Sequence, residues 1–95
     1  MAAYLIADLE ITDPDGFEEY RQLVAPQVAA YGGKYVVRGG ALETVEGDWS
    51  PGRIVILEFE SMEKLKAWYG SDDYRPVMSK RHSSANSKVV IVEGA

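Results

Sequence analysis

Four stretches of this chain are apolar without alternation: Tyr4-Leu5-Ile6-Ala7, Tyr35-Val36-Val37, Ile54-Val55-Ile56-Leu57 and Val89-Val90-Ile91-Val92. A strand with one face in water alternates apolar and polar side chains, whereas a strand covered on both faces reads as an unbroken hydrophobic run. Only two helical segments separate these runs, and together they cover one face of a sheet. The other face needs a second cover, and another copy of the chain is the economical one.

The first strand is predicted from Ala3 to Ile11, with Leu5, Ala7, Leu9 and Ile11 on one face and Tyr4, Ile6, Asp8 and Glu10 on the other. Asp13-Pro14 reads as a helix start, because Asp accepts from free backbone N–H groups and Pro at the first helical position loses no hydrogen bond. Phe17, Tyr20, Val24, Val28 and Tyr31 then recur at helical spacing. Pro26 inside that stripe predicts a kink or a restart, and Gly32-Gly33 predicts a left-handed end. The second strand spans Lys34 to Arg38 and stops at Gly39-Gly40. Within the long connection from Ala41 to Gly52, Ala41–Val45 offers a strand extension after a bulge at the glycines. The third strand runs from Arg53 to Glu60. Ser61 caps a short helix bearing Met62, Leu65, Trp68 and Tyr69, closed by Gly70, and Ser71 restarts a helix with a stripe of Tyr74, Val77, Met78, Arg81 and Ala85. Lys88 to Glu93 is the last strand.

Strand-helix-strand repeated twice predicts an α+β fold, the ferredoxin-like plait (βαββαβ): a four-stranded antiparallel sheet with its helices on one face. At 95 residues the chain reads as one domain, 1–95, of a size for which oligomerisation is a natural supplement to stability. The net charge of −5 speaks against nucleic acid and against an anionic membrane surface as partners. The absence of cysteine removes disulfides, thiolate metal sites and thiol nucleophiles together. Met1-Ala2-Ala3 carries no basic region and no run reaches membrane-spanning length, so the expectation is a soluble cytoplasmic protein.

Polar residues that interrupt the strands are the candidate chemistry. By parity Asp8 points with Tyr4 and Ile6, Glu58 with Ile54 and Ile56, and Arg38 with Val36. With the first and third strands central, Asp8 and Glu58 flank one site and Arg38 arrives from the edge. The functional reading is a pocket where Arg38 holds an anionic or carbonyl-bearing ligand and a carboxylate moves a proton; the structural one is an Arg38–Glu58 ion pair. His82, the only histidine, is either a proton carrier or a half-buried side chain at a helix edge. It has no partners at metal-ligand spacing, and no metal is expected. Tyr20, Tyr31, Trp68, Tyr69 and Tyr74 fall on helix faces that meet the sheet, and read as core or as the lining of a small-molecule cavity. Trp49, in a loop, reads as a lid or as a subunit-interface anchor, the latter favoured. The glycine-rich turns match no phosphate loop, and no serine sits in a nucleophile elbow.

Arg38-Gly39-Gly40, Glu46-Gly47, Trp49, Arg53, Glu58-Phe59, Trp68-Tyr69, Ser71, Tyr74 and Val92-Glu93-Gly94 together resemble the DUF1330 family of the dimeric α/β-barrel superfamily, over essentially the whole chain. The resemblance implies a homodimer packed sheet to sheet. In the enzymes of that superfamily the ligand lies between sheet and helices. Two readings follow. One is a cofactor-independent enzyme acting on a small carbonyl or phenolic compound, with Arg38, Glu58, Asp8 and His82 in catalytic roles and Tyr20, Trp68, Tyr74 and Arg81 binding substrate. The other is a non-catalytic ligand-binding or stress-response module. Haem-degrading members use a first-strand Asn, a Trp and a helical His. Asp8 stands here instead of the amide, and no haem or other cofactor is expected.

Overall fold

Burial alternates along Ala3–Ile11: Ala3, Leu5, Ala7 and Leu9 are buried, while Tyr4, Ile6 and Asp8 between them are half-buried. One face of the strand is therefore in a core and the other is only partly covered. The computed structural model, which describes residues 1–95, runs β1 (Ala3–Ile11), α1 (Pro14–Ala30), β2 (Lys34–Arg38), β3 (Arg53–Phe59), α2 (Met62–Tyr69), α3 (Tyr74–Ser84) and β4 (Ala85–Glu93). The strands form one antiparallel sheet in the order β2-β3-β1-β4. This is the ferredoxin-like plait, with β1 and β3 central.

Local chemistry accounts for the helix ends. The Asp13 carboxylate accepts from the Gly16 N–H at 3.2 Å, with Pro14 opening α1. At the other end Gly33 N–H reaches Val28 O at 2.8 Å and Gly32 N–H reaches Ala29 O at 3.0 Å. That pair of bonds needs a left-handed residue, and Gly32 supplies φ +81°. Pro26 does not restart α1, which runs unbroken from Pro14 to Ala30. It lies on the exposed side and forfeits a single hydrogen bond, while Val24 and Val28 beside it are anchored in the core. Ser61 caps α2, and Ser71 joins α2 to α3 by donating to Trp68 O at 2.7 Å and accepting from Tyr74 N–H at 3.1 Å.

Three expectations are corrected. β4 starts at Ala85, three residues before Lys88, and Ala85 belongs to the strand opposite Ile11 rather than to a helical stripe. The Ser84 carbonyl explains the sharp change: it accepts from both Thr12 N–H and Asp13 N–H, at 2.8 and 3.0 Å, and so ties the end of α3 to the end of β1. Ala41–Val45 makes no strand, since the last rung of β2 is Gly39 N–H to Ile54 O. Finally, the irregularity falls at Val36 and not at the glycines, where the register moves from Tyr35↔Leu57 to Val37↔Ile56.

All three helices lie against one face. Leu5, Leu9, Leu57 and Phe59 from the sheet meet Phe17, Val24 and Val28 of α1 and Leu65, Trp68, Tyr74 and Val77 of α2 and α3. The result is a two-layer slab of 35 × 33 × 17 Å. Its helix-free face carries Tyr4, Ile6, Val37, Ile54, Ile56, Val90 and Val92.

Candidate ligand-binding site

A cavity of about 240 Å³ lies between the sheet and the helices. Its floor is the helix-side row of the strands, Leu5, Ala7, Leu9, Val55, Leu57 and Val89. Phe17, Tyr20, Arg21 and Val24 of α1 form one wall, and Trp68, Tyr69, Tyr74 and Arg81 the other. Tyr35, Arg38 and Arg53 border it at the β2–β3 side.

The polar atoms of this lining are unevenly satisfied. The Tyr20 and Tyr74 hydroxyls bond each other at 2.9 Å. Burial, with the Tyr74 phenol beside it, pushes the Tyr20 pKa far above the ordinary tyrosine value, so the Tyr20 hydroxyl keeps its proton and serves as a hydrogen-bonding group, not as a base. Trp68 packs between Phe59 (centroids 5.5 Å apart) and Tyr74 (4.3 Å), and its indole Nε1 is buried without a partner. Arg81 is 4% exposed, and its guanidinium donates to the Tyr69 hydroxyl in a long contact of 3.5 Å. Burial presses its guanidinium toward neutrality, but the Tyr74, Tyr20 and Tyr69 phenols outweigh that and hold its pKa above the arginine norm.

The Arg38-Gly39 turn builds the border of the cavity. The Val36 bulge turns Arg38 to the helix side, opposite Val55, where its guanidinium lies 3.7 Å above the Tyr35 ring. Gly39, at φ +66°, lies under the Arg53 guanidinium, which any Cβ there would strike. Arg53 Nε is buried and unpartnered. No ion pair reaches Arg38, Arg53 or Arg81.

Of the residues singled out in the sequence, Tyr20, Trp68, Tyr74, Arg81 and Arg38 come together here. Glu58 and Asp8 do not. The predicted Arg38–Glu58 pair is absent, because the two side chains project from opposite faces of the sheet. Glu58 accepts from Tyr4 Oη at 2.9 Å and pairs with Lys34 at 3.0 Å on the helix-free face; Lys34 and then Tyr4 hold its carboxyl below the usual range. Nor do Asp8 and Glu58 flank one site. Asp8 pairs with Ile54, four residues along β3 from Glu58, a separation of about 13 Å at strand rise. Asp8 accepts from Trp49 Nε1 at 2.9 Å and Gly52 N–H at 3.0 Å, which lower its pKa. Trp49 is thereby held over the helix-free face. His82 is exposed and lines an adjoining, more open recess with Asn86 and Ser87. Tyr31 packs against the core from outside the cavity. No group of three or more His, Asp or Glu side chains has metal-binding geometry.

Arg53 was missed as a site residue. Its signal was available: Arg53, Val55, Leu57 and Phe59 share one parity, which puts a cation in a core-facing row.

The family model described as "Domain of unknown function (DUF1330)" matches residues 2–95, and the chain belongs to that family. No curated protein matches. Among solved structures, the fold is similar to that of a protein of unknown function from Rhodopseudomonas palustris, with a TM-score of 0.81 and 15% identity over 99% of this chain and 82% of that one. It is also similar to SnoaB, a cofactor-independent oxygenase from Streptomyces nogalater, with a TM-score of 0.68 and 11% identity over 99% and 93%. A conserved protein from Methanosarcina mazei gives 0.60 and 14% over 100% and 94%. At these identities the likeness carries the fold.

Proposed function

We propose that this DUF1330 protein binds a small phenolic or carbonyl compound between its sheet and helices, with Tyr20, Trp68, Tyr74 and Arg81 as binding side chains and Arg38 at the mouth. One observation carries the reading. Trp68 and Arg53, whose Nε1 and Nε donors are buried without a protein partner, both belong to the lining of the same largely apolar cavity. Buried donors are normally satisfied, and a compound with an acceptor oxygen satisfies these. The volume of about 240 Å³ is just under the roughly 300–1,000 Å³ of drug-sized sites, which suits one or two rings.

The chemistry such a site favours is stabilisation of an oxyanion. A guanidinium in a low-dielectric cavity lowers the cost of a phenolate or enolate, and preorganised charge is usually the largest catalytic contribution. The fold likeness to the oxygenase SnoaB favours a catalytic version, in which the bound anion is the reactive form. Asp8 and Glu58 have no part in it, and their roles are reassigned to the helix-free face. That face, we propose, packs against its counterpart in a second copy. No helix is long and apolar enough to cross a membrane.

The test is a screen of mono- and bicyclic phenols and enolisable ketones by two-dimensional amide NMR on the intact protein, followed by oxygen-uptake measurements on any that bind. Shifts confined to Tyr20, Tyr35, Trp68, Tyr74 and Arg81 are expected. Ligand-induced shifts confined to other regions, or none with any compound, would overturn the ligand site. Binding without turnover of any ligand would leave a non-catalytic binding module.

A further inference from the structure

The distribution of charge around the cavity narrows the class of ligand, on the reading that the cavity is a ligand site. We infer that the ligand is an organic acid, a planar compound of one or two rings whose carboxylate is held by the Arg81 guanidinium.

The chain carries a net charge of −5, yet its cavity is cationic. Four of its five arginines, Arg21, Arg38, Arg53 and Arg81, line it, and no lysine does. Of fifteen acidic side chains only Glu18 borders it, and Glu18 is engaged by Arg21 at 2.8 Å near the surface. A chain with this composition has carboxylates to spare for its arginines, and three of the four have none. Arginine cannot shed its proton to escape burial. A buried ion without a counter-charge is costly, and Arg81 is the deepest of the three.

The kind of cation is informative too. A lysine is a point charge, whereas guanidinium presents a planar fork that matches a carboxylate with two parallel hydrogen bonds. Trp68 on the same wall carries a neutral donor, Nε1, that no protein group satisfies. The remainder of the lining is apolar and aromatic, which calls for a hydrocarbon body and disfavours a bare inorganic anion. Arg38 and Arg21, exposed at the rim, add a positive field that draws an anion inward.

The test pairs each acid with its neutral amide: salicylate with salicylamide, and 1-naphthoate with 1-naphthamide. Titrations on the intact protein follow heat and the Trp68 indole N–H resonance, with the Trp49 indole on the helix-free face as internal control. The acids are expected to bind at least tenfold tighter than the amides and to move Trp68 while leaving Trp49 in place. Arg81→Gln should erase the difference between acid and amide. Arg81→Lys, which keeps the charge without the fork, should lose about tenfold for the acids, and it serves if the glutamine variant fails to fold. Amides that bind as tightly as acids, or a preference that survives at Arg81→Lys undiminished, would overturn the inference and leave the ligand site standing. Displacement of the acids by millimolar inorganic phosphate at equal affinity would also overturn it, in favour of a simple anion site. If neither member of either pair moves Trp68 while a neutral phenol or ketone of the wider screen does, the acid class fails alone. If nothing in either set moves it, the ligand site fails as well.

Discussion

A single residue, Val36, separates what parity promises from what the sheet does. Counting by twos from Val36 puts Arg38 with the helix-free row, but the bulge consumes one residue and returns Arg38 to the side of Tyr35. Bulges carry no composition signal at an apolar position, so this inversion was not legible, whereas Tyr20, Trp68, Tyr74 and Arg81 sat on helical stripes and were. The consequence is measurable. In a double-mutant cycle, Arg38→Ala and Glu58→Ala should be additive in stability within error, whereas Lys34→Ala and Glu58→Ala should be coupled. Coupling in the first pair would contradict the opposite-face geometry. The same carboxylates set an acid limit. Asp8 and Glu58 have folded pKa values below their ordinary ones, so their contribution is complete above the unfolded values of about 4 and is lost as pH falls through the folded values. Melting temperatures from pH 6 down to 2.5 should fall for the natural chain, and fall less steeply for Asp8→Asn combined with Glu58→Gln. Identical slopes would show that these two carboxyls do not govern acid stability.

Among the elements, β1 and β2 were read to their observed ends, and the chemical caps marked the helix ends: Asp13, Ser61 and Gly32 each sit where a particular backbone bond requires them. The α3–β4 junction escaped because its cause is tertiary, a Ser84 carbonyl shared with Thr12 and Asp13. Pro26 does not divide its helix, since the buried valines that flank it hold the stripe in the core. Proline in a helix interior is about 3 kcal/mol worse than alanine. Pro26→Ala should therefore raise unfolding free energy, by up to about that amount, in urea titrations that leave the slope unchanged. A destabilised variant would mean that Pro26 serves the fold in some other way. Gly39 is the opposite case. Alanine there adopts a left-handed conformation costing about 1–2 kcal/mol and also displaces the Arg53 guanidinium. Gly39→Ala should lower stability by at least that cost and shift the amides along the β2–β3 border of the cavity. A variant of unaltered stability would show that neither constraint operates.

For the molecule as a whole, the unalternating strands posed a question of what covers the second face, and the slab shape sharpens it. Three helices occupy one side of a body only 17 Å thick. The other side presents Ile6, Val37, Ile56, Val90 and Val92 in adjacent register, with Val90 and Val92 at 59% and 47% exposure. Trp49, 58% exposed, is pinned over the same face by its bond to Asp8. Burying each such side chain completely is worth roughly 1.5–3 kcal/mol, and a handful of them matches the whole stability of a typical domain, about 5–15 kcal/mol. Exposed apolar patches of this kind mark association surfaces. A second copy related by a two-fold axis fits, because the same patch then serves both partners. The two carboxylates of this face already have partners, Glu58 in Lys34 and Tyr4 and Asp8 in Trp49 and Gly52. Sedimentation equilibrium at micromolar concentration should therefore give twice the 10.5 kDa of one chain. Ile56→Lys places an ammonium at the middle of the face and should shift the species toward monomer, with the helix-side cavity and its ligand shifts retained. Val77→Ala, in the helix-side core, should lower stability without changing the mass of the folded species. A natural chain that sediments only as monomer would refute sheet-to-sheet pairing, and so would an Ile56→Lys variant that remains a full dimer.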